Sequence, residues 1–197
     1  GLGDVYKRQD IQIFERDVPG ENTAGYSSQA LARLPRETCQ TMNGMWGYKV
    51  KDTDYKSVDE LVALLVRCAG MGANLLLNIG PRPDGRLPEQ CLERLQGIGE
   101  WLKANGETIY GTEAGDVPPQ PWGATTRAGN RLFVHVLRPD SLPAGGTLLL
   151  PGINARAARV FHTGEKVRIS QGKAGMTLNI DKESAKGPDH IIELTLK

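Results

Sequence analysis

No excess of one charge sign marks this chain: 24 Lys and Arg stand against 23 Asp and Glu, a formal net charge of +1. Nucleic-acid binders neutralise phosphates with a basic face, so nucleic acid is not an expected partner. No apolar run approaches the roughly 20 residues that a helix needs to cross a bilayer, and no charged-then-apolar leader opens the sequence. A soluble chain with no membrane partner is expected. Cysteine is scarce and odd in number. Cys39, Cys68 and Cys91 have no CxxC spacing, which argues against a disulfide framework or a zinc site and for buried small apolar residues. A starting methionine is lacking too. Residues 1–9 have no amphipathic period, and residues 4–9 resemble a translated sequencing-adaptor tract. Residues 1–9 are therefore read as a non-native leader, with native sequence expected from near Asp10 and the chain expected to be truncated.

What is present has ordinary globular composition, with 39% apolar and 24% charged residues, enough to build a core. The most informative stretch is residues 73–81, Ala-Asn-Leu-Leu-Leu-Asn-Ile-Gly-Pro. It reads as a buried strand ending in polar and turn residues, set between two helices. That is one βα step of an α/β barrel, in which chemistry gathers at the C-terminal strand ends. Asn78 and the loop at residues 80–85 should then lie at an active-site rim.

Upstream, residues 10–14 alternate as a short strand, and residues 16–34 carry the Pro, Gly, Asn and Ser content of a long loop; such loops are often functional. Residues 38–50 return to an extended pattern. The capping box Ser57-Val-Asp-Glu60 predicts a helix start. Leu61, Leu64, Leu65, Cys68 and Ala69 supply its inward face, and Gly70 and Gly72 its exit. A strand over residues 74–79 follows. Pro88 then opens a second helix with Leu92, Leu95, Ile98 and Leu102 as its inward stripe, ending near Asn105 and Gly106.

After Thr112 the helical period stops, and Pro118, Pro119 and Pro121 form a stiff junction. Residues 131–137, 147–150, 157–161, 166–170, 176–180 and 190–196 read as short strands of a small antiparallel sandwich. The fold class is thus α/β plus all-β. A closed eight-fold barrel needs about 250 residues, and only about a hundred precede the junction. Either the chain is a fragment of something longer, or the α/β part is a smaller fold.

Four ordered blocks resemble the C-terminal portion of glycoside hydrolase family 29, the retaining α-L-fucosidases. They are Asp10-Ile-Gln-Ile-Phe-Glu15, Glu37-Thr-Cys-Gln-Thr-Met-Asn-Gly-Met-Trp-Gly-Tyr48, Ala73-Asn-Leu-Leu-Leu-Asn-Ile-Gly-Pro-Arg-Pro-Asp-Gly85, and Ile98-Gly-Glu-Trp-Leu-Lys-Ala-Asn-Gly-Glu-Thr-Ile-Tyr-Gly111. The resemblance covers residues 10–112 strongly and the sandwich weakly. It implies that residues 10–114 are the C-terminal portion of a (β/α)8-like catalytic barrel and residues 115–197 a β-sandwich domain. The implied activity is retaining exo-α-L-fucosidase chemistry on fucosylated glycans, without metal or organic cofactor, in a periplasmic, secreted or lysosomal setting.

The resemblance places Glu15 as the acid/base carboxyl. From its residues alone, Glu15 reads rather as a solvated loop carboxylate. Its apolar neighbour Phe14 would keep the acid protonated by making its charged form costlier. Glu21, in Pro19-Gly-Glu-Asn22, is the rival. The family nucleophile is an aspartate on an earlier strand, before the first residue of this chain, and neither Asp4 nor Asp10 is promoted to that role. Trp46 falls where the family sets an aromatic residue against the sugar's apolar face, with a core tryptophan as the alternative.

Asn78 is read mainly as a tie for the following turn, and Pro83-Asp84-Gly85 as a turn. His135, His162 and His190 are read as surface or strand-face residues. Arg36 and the long stretch at residues 27–34 depart from the family pattern, which points to a reshaped leaving-group side. Two readings from other classes stand beside this one. The first is a non-catalytic carbohydrate-binding sandwich with a vestigial α/β segment. The second is a small complete α/β domain that organises a larger assembly.

Overall fold

The computed structural model describes residues 10–197, so the 1–9 tract read as a leader lies outside the described residues. Three parallel strands come first: β1 (Gln12–Glu15), β2 (Arg36–Thr41) and β3 (Ala73–Asn78), hydrogen-bonded in the order β1-β2-β3. Parallel neighbours need a crossover, and between β2 and β3 it is helix α1 (Val58–Gly70). Its start is the expected capping box: the Glu60 amide donates to Ser57 Oγ at 3.2 Å, and the Ser57 amide donates to the Glu60 carboxylate at 2.7 Å. At its end Met71 is the C-cap, and Gly72 takes φ +62°, the left-handed region that glycine enters without a Cβ penalty.

Helix α1 buries two rows rather than the single stripe expected. Leu61 and Cys68 are buried, but so are Val62 and Val66, while Leu64, Leu65 and Ala69 are only partly covered. The cause is a second partner. Leu61 packs with Met42 and Cys91, whereas Val62 and Val66 pack with Trp101, Ala124, Phe133 and Ile191 of the later half of the chain. Cys68 and Cys91 are buried as anticipated and Cys39 is only half-buried; burial pushes the Cys68 thiol up to about 12.

Helix α2 (Glu89–Asn105) follows Pro88. Half of its expected stripe holds: Ile98 and Leu102 pack inward, but Leu92 and Leu95 are 49% and 37% exposed, while Cys91, Trp101 and Asn105 are buried. The large indole of Trp101, held between α1 and the later sheet, sets the rotation of the helix and turns Leu92 and Leu95 outward. Among the described residues no helix is long and apolar enough to cross a membrane.

The later half is two antiparallel sheets. Strands β4 (Glu113–Ala114), β5 (Gly123–Ala128), β6 (Arg131–Val136), β11 (His190–Leu196) and β8 (Ala155–Val160) form one in the order β4-β5-β6-β11-β8. Strands β7 (Thr147–Pro151), β10 (Gly175–Asn179) and β9 (Ile169–Gly172) form the other in the order β7-β10-β9. Since Glu113 and Ala114 pair with Arg127 and Thr126, the larger sheet begins before the proline junction. Strand alternation sends Leu132, Val134 and Val136 toward Leu148, Leu150, Met176 and Leu178 of the smaller sheet, and Phe133 toward α1. The larger sheet is therefore covered on both faces. Strand β5, Gly-Ala-Thr-Thr-Arg-Ala, carries no apolar alternation in sequence. Its Thr125 is nonetheless buried, with the hydroxyl donating to the Val117 carbonyl at 2.7 Å.

His135 is a strand-face residue of β6, one of the two expected placements, but the face is interior and its side chain is fully buried. Its Nδ1 lies 2.7 Å from Asp189 Oδ2 and its Nε2 lies 3.0 Å from Thr126 Oγ1, which itself donates to the Thr108 carbonyl at 2.6 Å. A hydroxyl has one hydrogen, and the carbonyl takes it. His135 Nε2 must then donate to Thr126, and the Nδ1 to Oδ2 contact needs a hydrogen of its own. This chain of four groups ties the turn after α2 to the sheet.

Two measurements check this account. His135→Leu leaves the Asp189 carboxyl buried without its partner and should cost about 3–5 kcal/mol in urea unfolding, most of it recovered in the His135→Leu, Asp189→Leu double variant. Separately, the Ser57 amide and then its hydroxyl hold the Glu60 carboxyl below the usual carboxylate range. A carboxyl lowered in the folded state stabilises above its unfolded pKa, and the contribution fades as pH falls through the folded value. The thermal stability advantage of wild type over Glu60→Gln should therefore shrink between about pH 6 and about pH 3.

Candidate active site at the strand ends

Because β1, β2 and β3 are parallel, their C-terminal residues Glu15, Thr41 and Asn78 come out on one rim, with Glu15 in register with Cys39 and Thr41 with Asn78. Alternation then divides the sheet. Gln12, Phe14 and Thr38 are buried on the side of α1. Ile13, Glu15, Glu37, Cys39, Asn74 and Leu76 line the opposite face, where Ile13 and Leu76 are 55% and 53% exposed. Phe14 therefore points away from Glu15, against the expectation that its ring dries the carboxyl: neighbours along a strand project to opposite faces.

Glu15 is exposed at the end of β1. A second carboxylate shares its face. The Cys39 thiol is pushed up by partial burial and then by the charges of Glu15 and Glu37 together, so both acids flank it. The sequence reading assigns Glu37 no role beyond opening the second family-like block, although its two-residue spacing from Cys39 sets both on one face of a strand. Glu21, the rival acid, lies elsewhere: it forms an ion pair with Arg67 of α1, whose other guanidinium nitrogen donates to the Gln120 carbonyl at 3.3 Å.

The long loop after β1 is built rather than loose. The buried carboxylate of Asp17 accepts from the amides of Thr23 and Ala24, each at 3.0 Å, and Asn22 accepts from the Ser27 amide at 2.9 Å. The Gln12 side chain donates to the Ala30 carbonyl and accepts from the Ala32 amide. Together these bonds hold Tyr26, Ser28 and Gln29 beside Ile13 and Glu15, around a cleft of about 520 Å³.

Trp46 sits at the same rim and is not a core residue, being 37% exposed. Asn78 donates to its backbone carbonyl at 2.6 Å, so the amide at the end of β3 ties down the loop that follows β2 rather than its own. The Arg16 guanidinium carbon lies 5.2 Å from the Trp46 ring centroid. Lys56 completes the rim by donating to the Thr41 carbonyl at 2.7 Å; burial and then the charge of Arg16 lower its pKa. Pro83-Asp84-Gly85 is the expected turn, with Gly85 at φ +82° and the Asp84 carboxylate accepting from the Arg86 amide at 3.1 Å. Among the described residues no three His, Cys, Asp or Glu side chains converge in a way that could hold a metal ion.

Comparison with known proteins bears on this arrangement. Residues 2–107 match the family described as Alpha-L-fucosidase. The plasma alpha-L-fucosidase of Pongo abelii is 42% identical over 161 residues, 76% of this chain and 32% of that protein. The alpha-L-fucosidase of Dictyostelium discoideum is 34% identical over 158 residues, 73% of this chain and 34% of that protein. Among solved structures, alpha-L-fucosidase isoenzyme 1 from Paenibacillus thiaminolyticus superposes with a TM-score of 0.76 at 32% identity, over 95% of this chain and 45% of that one. For the Thermotoga maritima alpha-fucosidase the TM-score is 0.72 at 29% identity, over 95% and 43%. The chain spans about a third of the length of these curated relatives.

Asn78→Ala removes the tie on Trp46 and should cost about 0.5–1.5 kcal/mol in unfolding free energy. Limited proteolysis should then cut faster around residues 43–48, and an unchanged cutting rate would contradict the tethering role.

Proposed function

The chain belongs to the alpha-L-fucosidase family, and from that premise we propose that it is the C-terminal part of a retaining exo-α-L-fucosidase that releases terminal L-fucose from glycans. In this reading β1 to β3 are late strands of a (β/α)8-like barrel and the two antiparallel sheets are its β-sandwich partner. The uncovered face of the parallel sheet supports it. Parallel sheets are buried on both sides in complete folds, yet Ile13 and Leu76 stand open, on the face where further barrel strands would close.

Retaining glycosidases work with two carboxyl groups about 5–5.5 Å apart. Glu15 is the acid/base: it protonates the departing oxygen in the first step and takes a proton from water in the second. The nucleophile is an aspartate from a part of the enzyme outside this sequence. Trp46 supplies an apolar wall against the fucose C6 methyl, excluding water and fixing the ring. The observation that carries the assignment is the placement of Glu15, exposed at a strand C-terminus on the open face, beside the Trp46 loop and the 520 Å³ cleft. Glu21 is the weaker choice because Arg67 neutralises it on the helix side of the sheet. The cleft shaped by residues 26–34 takes the leaving group, which is a fucosylated glycan or glycoconjugate.

The carbohydrate-binding alternative has less support. The main cleft of the sandwich is lined by Lys166, Arg168, Asn179 and His190 among others, with no aromatic face for a sugar to stack on.

The test uses the full-length enzyme with an activated aryl fucoside and with a fucoside of poor leaving group. Glu15→Gln should lower kcat/KM for the poor leaving group by about 10²–10⁴-fold and spare kcat/KM for the activated substrate, which reports the first step alone, whereas Glu21→Gln should change either by less than about tenfold. A reversed pattern would transfer the role to Glu21. Purified residues 1–197 alone should show no turnover, and robust activity from them would sink the two-part site.

A further inference from the structure

We propose that Arg16 is a positioning residue that locks the strand end carrying Glu15 to the loop carrying Trp46, an inference that rests on the acid/base reading of Glu15. Four observations converge on it. Arg16 is the one non-glycine residue with positive φ among the described residues, at +61°, a conformation in which a Cβ crowds the backbone. Its own backbone is fixed on both sides, the amide donating to the Cys39 carbonyl at 2.9 Å and the carbonyl accepting from Gln40 Nε2 at 2.9 Å. Its guanidinium reaches across to the loop after β2, donating to the Gly44 carbonyl at 3.0 Å. The same group lies over the Trp46 ring, 5.2 Å from the centroid.

The strained backbone explains how this reach is possible. Had β1 continued, alternation would send the Arg16 side chain to the helix side with Gln12 and Phe14. The left-handed turn breaks that alternation directly after Glu15 and frees the guanidinium to meet Trp46 at the rim. Strain of this kind persists where the surroundings over-determine it, as at sites where geometry matters. Asn78 fixes the Trp46 backbone from β3, at 2.6 Å, while Arg16 fixes its ring from β1. The proton donor and the apolar wall are thereby spanned by one side chain and held in a constant relation. A planar guanidinium suits this task, since it can stack and donate at once; a lysine ammonium offers a point charge and no plane.

The experiment has two arms. In the first, acrylamide quenching is measured on the full-length enzyme as the difference between each protein and its Trp46→Phe counterpart, so that the difference reports Trp46, which is exposed. Arg16→Gly keeps the backbone conformation and removes the stack, and should raise the quenching constant by about twofold; Arg16→Lys should raise it nearly as much. In the second arm, Arg16→Gly in the full-length enzyme should lower kcat for the poor leaving group by about tenfold to a hundredfold with little effect on its KM, and change kcat/KM for the activated aryl fucoside much less. Quenching equal to wild type overturns the proposal. So does raised quenching with unchanged turnover of both fucosides. Wild-type enzyme without any turnover sinks the acid/base reading and this role with it, whereas the quenching arm reports the Arg16 to Trp46 contact on its own.

Discussion

Helix α1 is wedged between two sheets, and the rest of the molecule is arranged around that wedge. One row of its side chains, with Leu61 and Cys68, faces the parallel strands; the next, with Val62 and Val66, faces the antiparallel sheet through Ala124, Phe133 and Ile191. The two halves therefore share apolar contacts and do not hang from a free linker. Arg67 extends the connection with polar bonds, joining the loop after β1 through Glu21 to the junction through Gln120. The position of the rim is fixed by this arrangement, because β3 begins directly after Gly72 at the exit of α1 and ends at Asn78.

Much of the α/β part was legible because its signals are local. The capping box at Ser57, the glycine exit at Gly70 and Gly72, the apolar run of β3 and the proline start of α2 each depend on a few neighbouring residues, and each stands where the sequence put it. What escaped depended on a partner distant in sequence. Val62 and Val66 looked like spare apolar positions until a second sheet supplied their contacts. Leu92 and Leu95 had the spacing of an inner stripe, but the bulk of Trp101 decided the helix rotation. Strand β5 is rich in threonine and alanine, so its burial has no apolar alternation to announce it.

The site divides in the same way. Glu15 and Trp46 were picked out through resemblance, and the structure brings both to one rim. Arg16 and Lys56 have no signal of that kind, since a sequence does not display a left-handed backbone or a half-buried ammonium on a strand-end carbonyl. The burial of His135 is hidden in the sequence for a related reason. Its partners Asp189 and Thr126 are 54 and 9 residues away, and only the sheet pairing reveals that they meet.

The placement of β11 has an implication for how the molecule comes to exist. Although it follows both in the chain, it lies between β6 and β8 in the larger sheet, so those two strands are joined only through it. During synthesis from the N-terminus, Leu132, Val134 and Phe133 wait with an open edge, a slow, non-local kind of closure that leaves nascent chains prone to sticking together. Until β11 docks, β4-β5-β6 and β7-β10-β9 stand as separate paired groups with β8 unattached to either, a natural substrate for chaperones.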